Sequence, residues 1–124
     1  MPAPTSLGGV KQAAMRISSA ATDTPRIPIL SPISTTAHGA TVTLLARSAE
    51  RAAEGLAKLR ALVPDARAET GVVDLGDLVS IRRFADEFLA THDAVDVLMN
   101  NAGVMACPFG RTADGFETQF GTNH

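Results

Sequence analysis

The stretch Val95-Asp-Val-Leu-Met-Asn-Asn-Ala-Gly103 decides the fold of this 124-residue chain. Its first five residues are mostly apolar and predict a short β-strand, which passes directly into two asparagines, an alanine and a glycine. In an α/β protein, such a strand delivers the chain to the carboxyl edge of a sheet, where ligands usually bind. Gly103 would let the backbone approach a ligand closely.

Upstream of this stretch, predicted strands alternate with predicted helices. A strand is expected at 41–46, which follows a Gly-Ala turn and is rich in β-forming residues, and another at 68–74. Ser48 is the predicted N-cap of a helix that Pro64 closes, and Asp77 opens a second helix. Helices of about a dozen residues between strands imply parallel crossover connections, so the predicted fold class is α/β.

Residues 1–38 differ in composition from the rest of the chain. They contain five of the seven prolines, many Ser and Thr residues, and a single acidic residue, Asp23. Proline lacks a backbone donor and Ser/Thr side chains compete for backbone hydrogen bonds, so an irregular or disordered lead is expected. The apolar run 26–33 would form only an edge strand, because Pro28 and Pro32 each delete a ladder bond. A basic, Ser-rich, acid-poor start also suits an organelle transit peptide.

Composition argues against several classes of function. The net charge of −2 and the scattered basic residues exclude the positive surface that a nucleic-acid partner requires. The single cysteine, Cys107, leaves no internal disulfide and no Cys-based zinc cluster, and it favours a reducing, cytoplasmic location. No apolar run approaches the roughly 18 residues that a membrane span needs. The sequence therefore predicts neither a metal site nor a membrane span.

The polar turn at 100–103 is part of a longer pattern. Asp74-Leu75 ends the preceding predicted strand, and the chain closes on Arg111-Thr-Ala-Asp-Gly-Phe-Glu-Thr-Gln-Phe-Gly-Thr-Asn-His124. With the Asn-Asn-Ala-Gly turn, these stretches resemble the short-chain dehydrogenase/reductase family, and the final stretch resembles its retinol dehydrogenase-like and protochlorophyllide reductase-like subgroup. The resemblance covers residues 39–124 and implies a partial NAD(P)-binding Rossmann domain with a doubly wound parallel sheet. It also implies a fragment of an NADP-dependent oxidoreductase of small apolar alcohols or carbonyls.

The resemblance assigns two groups of residues to the nicotinamide cofactor. The turn at 100–103 would steady the sheet and line the cofactor's ribose; the alternative is a plain strand-end turn. Asp74, after the preceding strand, would accept a hydrogen bond from the adenine amino group, with Leu75 beside it. The alternative interpretation of Asp74 is a carboxylate that caps the following helix. The residues so assigned are Asp74, Leu75, Asn100, Asn101, Ala102 and Gly103.

Arg47 follows the first predicted strand, where the family meets the adenosine ribose. A guanidinium at this place can clamp a 2′-phosphate, whereas an acidic residue would bond the free 2′-hydroxyl. Arg47 therefore favours NADP over NAD as the cofactor. The alternative interpretation is a solvated surface arginine.

Asn123 is the candidate catalytic residue. It lies in a last helix that Thr112 is expected to cap, seven positions after Phe116 and so on the same, core-facing side. The position matches the family's helix asparagine, which anchors a proton-relay water near the catalytic lysine. The family's Tyr-x-x-x-Lys pattern has no counterpart in these 124 residues, which contain no Tyr.

The family's glycine-rich turn also has no counterpart here. It would precede Gly39, but residues 24–38 contain no glycine. The family's first strand lies between the second and the fourth, so a gap with unpaired backbone is expected at the centre of the sheet. The sequence predicts an oxidoreductase fragment that is inactive by itself and binds its cofactor weakly. The alternatives are a non-catalytic interaction or regulatory module that pairs through exposed strand edges, or a gene-model artefact.

Overall fold

The computed structural model describes residues 12–16, 36–37 and 39–124. Along them the chain forms, in order, β1 Gln12–Arg16, β2 Thr41–Ala46, α1 Ala49–Leu62, β3 Ala68–Val72, α2 Leu78–Thr91, β4 Val97–Met99 and α3 Thr118–Asn123. The α/β prediction is confirmed, since β2 and β3 run parallel and α1 connects them. The predicted irregular lead, with its edge strand at 26–33, falls mainly on positions outside the described residues.

The described strands form one sheet in the order β3-β2-β1-β4. β1 pairs antiparallel with both of its neighbours, and Ala14 lies opposite Thr43 on one side and Leu98 on the other. The predicted gap at the centre of the sheet is therefore wrong. The segment 12–16 contains no proline, so each of its residues keeps the backbone donor that a central strand needs. Because β2 and β4 both oppose β1, they point the same way as β3 and end at one edge.

One face of the sheet packs against α1. Ser48 caps this helix, as predicted, and its hydroxyl accepts a hydrogen bond from the backbone N–H of Arg51 at 3.4 Å. Leu59 of α1 is fully buried in one apolar cluster with Val42 and Leu44 of β2. Burying a leucine contributes about 1.5–3 kcal/mol through the hydrophobic effect, so this contact holds α1 to the sheet.

The opposite face packs against α2. Asp77 caps this helix, as predicted, by accepting hydrogen bonds from the backbone N–H groups of Val79 at 2.8 Å and Ser80 at 3.3 Å. Leu45 belongs with Phe84 of α2 to a smaller apolar cluster on this side. Side chains alternate across a strand, so consecutive residues of β2 serve both faces. The sheet thus lies between two helices, in three layers.

The last helix begins later than predicted. Thr112 does not cap it; Glu117 does, by accepting hydrogen bonds from the backbone N–H groups of Gln119 and Phe120 at 3.0 Å each. The hydroxyl of Thr112 instead accepts from the N–H of Phe116 at 3.2 Å within a tight hairpin. The helix therefore begins at Thr118, six positions after Thr112.

Candidate functional site

A cleft of about 460 Å³, the first cleft, lies at the carboxyl edge of the sheet, where β2 and β3 end. Its opposite wall is formed by the turn after β4 and by the hairpin before α3. Five of the residues predicted to contact a cofactor line this cleft: Arg47, Asp74, Leu75, Ala102 and Gly103. They follow three different strands, so only the assembled sheet brings them together.

The two asparagines of the polar turn lie outside the first cleft. Asn100 lines a second cleft of about 480 Å³, between α2, β4 and α3, and Asn101 lines neither of the two. Both residues are exposed, and their side chains form no hydrogen bonds with the residues that the structure describes. Within that part of the chain, these amides do not tie neighbouring strands together.

Asp74 shapes the turn at the edge of the first cleft. Its Oδ1 accepts a hydrogen bond from the backbone N–H of Gly76 at 2.9 Å, and its own N–H donates to the Ser80 hydroxyl at 3.0 Å. Asp74 thus stabilises the turn before α2 but does not cap the helix, which is the role of Asp77. Its Oδ2 has no donor among residues 39–124, so a ligand N–H can approach this oxygen.

Three arginines, Arg47, Arg51 and Arg111, line the first cleft together with the carboxylates of Asp74 and Asp77. Arg47 directly follows β2 and is exposed, and its guanidinium has no hydrogen bond or ion pair to any described residue. Arg51, at the start of α1, lines the same cleft. Arg51 was not predicted from the sequence, because Arg47 precedes the helix and helical spacing therefore does not relate the two residues; the folded structure brings both to this cleft. An anion bound where β2 ends and α1 begins would therefore lie near the guanidinium groups of Arg47 and Arg51.

Asn123 holds the loop that follows the polar turn. Its Oδ1 accepts a hydrogen bond from the N–H of Val104 at 2.8 Å, and its Nδ2 donates to the carbonyl of the same residue at 2.9 Å. A Cβ at Gly103 would lie 3.3 Å from this Oδ1, so glycine permits the close approach. The predicted core-facing position is wrong, because Asn123 is exposed, as are Phe116 (47%) and Phe120 (57%). The Asn123 amide is therefore satisfied by the loop backbone at Val104 and not by partners in a core.

Among the described residues, no three His, Cys, Asp or Glu side chains lie where they could hold a metal ion together. Cys107 lines the first cleft and is half-buried. His92 stacks on Phe88 with ring centroids 4.0 Å apart and places Nε2 at 2.7 Å from Oε1 of Glu69.

No helix in the described ranges is long and apolar enough to cross a membrane.

Residues 34–123 match a family model described as short chain dehydrogenase. Retinol dehydrogenase 12 from Mus musculus is 42% identical over 87 residues, which cover 70% of this chain and 28% of that protein. A short-chain dehydrogenase/reductase from Armillaria gallica is 47% identical over 94 residues, which cover 70% of this chain and 28% of that protein. The chain therefore corresponds to less than a third of the length of these curated relatives.

A solved structure shares the fold. The crystal structure of an uncharacterized protein from Mycobacterium paratuberculosis superposes with a TM-score of 0.63 and 39% sequence identity. The match covers 74% of this chain and 31% of that one. The likeness supports a Rossmann-like α/β arrangement of strands and helices for this chain.

Proposed function

Because the chain belongs to the short-chain dehydrogenase/reductase family, with its Rossmann-like fold and its nicotinamide cofactors, we propose that the first cleft binds the adenosine half of NADP. The observation that carries this proposal is the convergence of Arg47, Asp74 and the Ala102-Gly103 turn on one cleft at the carboxyl edge of the sheet. Ligands of open α/β sheets bind at this edge.

The preference for NADP over NAD rests on the arginines. Arg47 has no acidic partner in the described part of the chain, so a 2′-phosphate would give its guanidinium a charge-assisted contact. Arg51 adds a second cation to the same cleft. A free 2′-hydroxyl, as in NAD, calls for an acidic acceptor at this strand end, and positions 45–48 contain no acidic residue.

The adenine and the ribose have partners at the other side of the cleft. The free Oδ2 of Asp74 can accept a hydrogen bond from the adenine amino group, and Leu75 offers an apolar surface to the base. Ala102 and Gly103 are small enough to let the ribose approach the backbone. The preceding asparagines, Asn100 and Asn101, do not line this cleft, so we propose no adenosine contact for them here.

The test compares adenosine 2′-monophosphate (2′-AMP) with 5′-AMP in NMR titrations of the isotope-labelled chain. One charge-assisted hydrogen bond contributes about 1.5–3 kcal/mol, so 2′-AMP should bind roughly tenfold tighter or more. Arg47→Ala should remove this preference. Arg82→Ala, which removes an exposed arginine of α2 outside the cleft, should keep it. Equal affinities, or a preference that survives Arg47→Ala, would contradict the proposal.

The complete cofactor is expected to bind more weakly than millimolar to these 124 residues. Its pyrophosphate needs the backbone amides of a glycine-rich turn, and residues 24–38 contain no glycine. Losing two or three charge-assisted bonds of about 1.5–3 kcal/mol each weakens binding by several powers of ten. A low micromolar dissociation constant for NADP in calorimetry, lost in Arg47→Ala, would show that this account of the phosphate site is wrong.

For the intact enzyme to which this chain corresponds, the proposed reaction is oxidation of an apolar alcohol or reduction of a carbonyl. The name of the retinol dehydrogenase relative supports this substrate class. Carbonyl reduction needs an acid that protonates the developing alkoxide, and these 124 residues contain no Tyr. We therefore expect no turnover from them alone. Steady NADPH oxidation by the purified chain with a carbonyl substrate, above the rate without protein, would overturn the proposed inactivity.

A second candidate function is non-catalytic association with another chain. Apolar residues stay exposed around the second cleft, among them Leu89 (62%) and Leu98 (59%). Leu98 belongs to β4, which lies at the edge of the described sheet and presents unpaired backbone groups there. Light scattering after gel filtration tests this function. Self-association that Leu98→Lys abolishes would support it, and a monomer at millimolar concentration would contradict association between copies of this chain.

A further inference from the structure

The hairpin before α3 is closed by its own hydrogen bonds. A bridge joins Arg111 to Glu117, and the Arg111 guanidinium donates to the carbonyl of Gly115 at 2.8 Å. Gly115 turns the chain at a φ of +86°, a conformation that favours glycine, and its N–H donates to the carbonyl of Thr112 at 3.0 Å. These bonds all lie within the segment, which we call the 111–117 hairpin.

Two hydrogen bonds dock the 111–117 hairpin onto the turn before α2. The N–H of Ala113 donates to the carbonyl of Gly76 at 2.9 Å, and Oδ2 of Asp114 accepts from the N–H of Leu78 at 2.9 Å. The first N–H groups of a helix lack partners within the helix, and the helix dipole favours a carboxylate beside them. Asp114 supplies one from a segment 36 positions away.

The docked turn is the one that would hold the adenine. Residues 74–77 and residues 111–113 line the same first cleft. Gly76 connects the turn to the hairpin. Its N–H donates a hydrogen bond to Oδ1 of Asp74, and its carbonyl accepts one from the N–H of Ala113. The orientation of the Asp74 carboxylate therefore depends on a peptide segment that the 111–117 hairpin holds in place.

We infer that Asp114 is a positioning residue for adenosine binding: it locks the 111–117 hairpin against the turn 74–77, so that Oδ2 of Asp74 and the side chain of Leu75 face the cleft. This inference rests on the proposed function and deepens it. Asp114 does not line the cleft, so it acts through the turn without touching the ligand. Without the Asp114 carboxylate, only the bond from Ala113 to Gly76 still docks the hairpin. The turn is then less ordered in the free protein, and ordering it on binding costs affinity.

The first test measures 2′-AMP affinity by NMR titration at a temperature where every variant is folded. Asp114→Ala should weaken binding by about fivefold or more, the lower end of typical coupling between two sites. Asp114→Asn keeps an acceptor oxygen for the Leu78 N–H and should restore the affinity to within about twofold of wild type. Asp86→Ala, which removes an exposed carboxylate of α2 outside the cleft, should leave it unchanged.

A second measurement needs no variant. Coupling between two sites is reciprocal, so saturating 2′-AMP should slow the amide hydrogen exchange of Leu78 and Ala113 by about fivefold or more. Binding without this slowing, or binding to Asp114→Ala that is as tight as in wild type, would overturn the positioning role and leave the proposed function standing. Failure of the wild-type chain to bind 2′-AMP would overturn the proposed function, and this inference with it.

Discussion

Replacing Gly71 by alanine tests how closely α2 packs against the sheet. Gly71 lies in β3, and a Cβ at this position would lie 2.5 Å from Cε2 of Phe84 and 2.7 Å from Cδ2 of Leu45. Carbon atoms in contact prefer separations of about 3.5–4.0 Å. At these distances both neighbours would have to move. The move is costly because Phe84 and Leu45 pack in the same apolar cluster between α2 and the sheet.

The size of the effect follows from two opposing contributions to stability. Overpacking of a core costs about 1–3 kcal/mol. Exchanging glycine for alanine also reduces the entropy of the unfolded chain, which stabilises the protein by about 0.4–1 kcal/mol. Overpacking outweighs this entropic gain, so Gly71→Ala should lower the free energy of unfolding by about 1–2 kcal/mol. For a domain of this size, that corresponds to a fall of roughly 5–15 °C in the thermal midpoint.

Thermal unfolding followed by circular dichroism measures the effect of Gly71→Ala. Thr70→Ala, at the exposed neighbouring position of β3, is the matched control and should change the free energy of unfolding by no more than about 0.5 kcal/mol. In the double variant Gly71→Ala/Phe84→Leu the ring is gone, so the added methyl group should cost less than it does in the wild-type background. An unchanged or higher midpoint for Gly71→Ala would refute the close packing, as would a double variant whose destabilisation equals the sum of the two single ones.

Two further predictions concern pairing and pH. Ala14→Pro removes a backbone donor from β1, which is paired on both sides, so the exchange protection along the paired segments 41–45 and 97–99 should fall; unchanged protection by NMR would argue against a central β1. The backbone N–H groups of Gln119 and Phe120 hold the pKa of Glu117 below its usual value. Because the folded-state pKa is the lower one, the cap stabilises α3 above the unfolded pKa and is lost as the pH falls through the folded pKa. Amide exchange at Gln119 and Phe120, corrected for its intrinsic pH dependence, should therefore lose protection in acid, and Glu117→Gln should abolish this transition; equal behaviour of the two proteins would contradict it.

Local signals in the sequence determined the main helices and the class of the fold. Ser48 and Asp77 cap α1 and α2, as their sequence context predicts, because a cap needs only a side chain and N–H groups two or three positions further along. The alternation of strands and helices along the chain predicts the α/β class in the same way. The Asn-Asn-Ala-Gly turn at 100–103, together with Asp74-Leu75 and the stretch 111–124, likewise indicates the family, because each of these motifs is contiguous.

Exposure and capping near the end of the chain depended on the folded structure. Thr112 has a capping side chain, yet its hydroxyl accepts from Phe116, and Glu117 caps α3. Asn123 has the helical spacing of a core residue, but its amide pairs with the backbone of Val104. Spacing shows which residues share a face of a helix. It does not show what that face meets.

Only the tertiary structure decided the centre of the sheet and the walls of the first cleft. β1 takes its place through residues more than 25 positions away, Thr43 opposite Ala14 on one side and Leu98 on the other. Asp114 reaches α2 across 36 positions in the same way. A sequence encodes caps, periodicity and contiguous motifs through neighbouring residues, whereas strand partners, exposure and cleft walls arise from residues that meet only when the chain has folded.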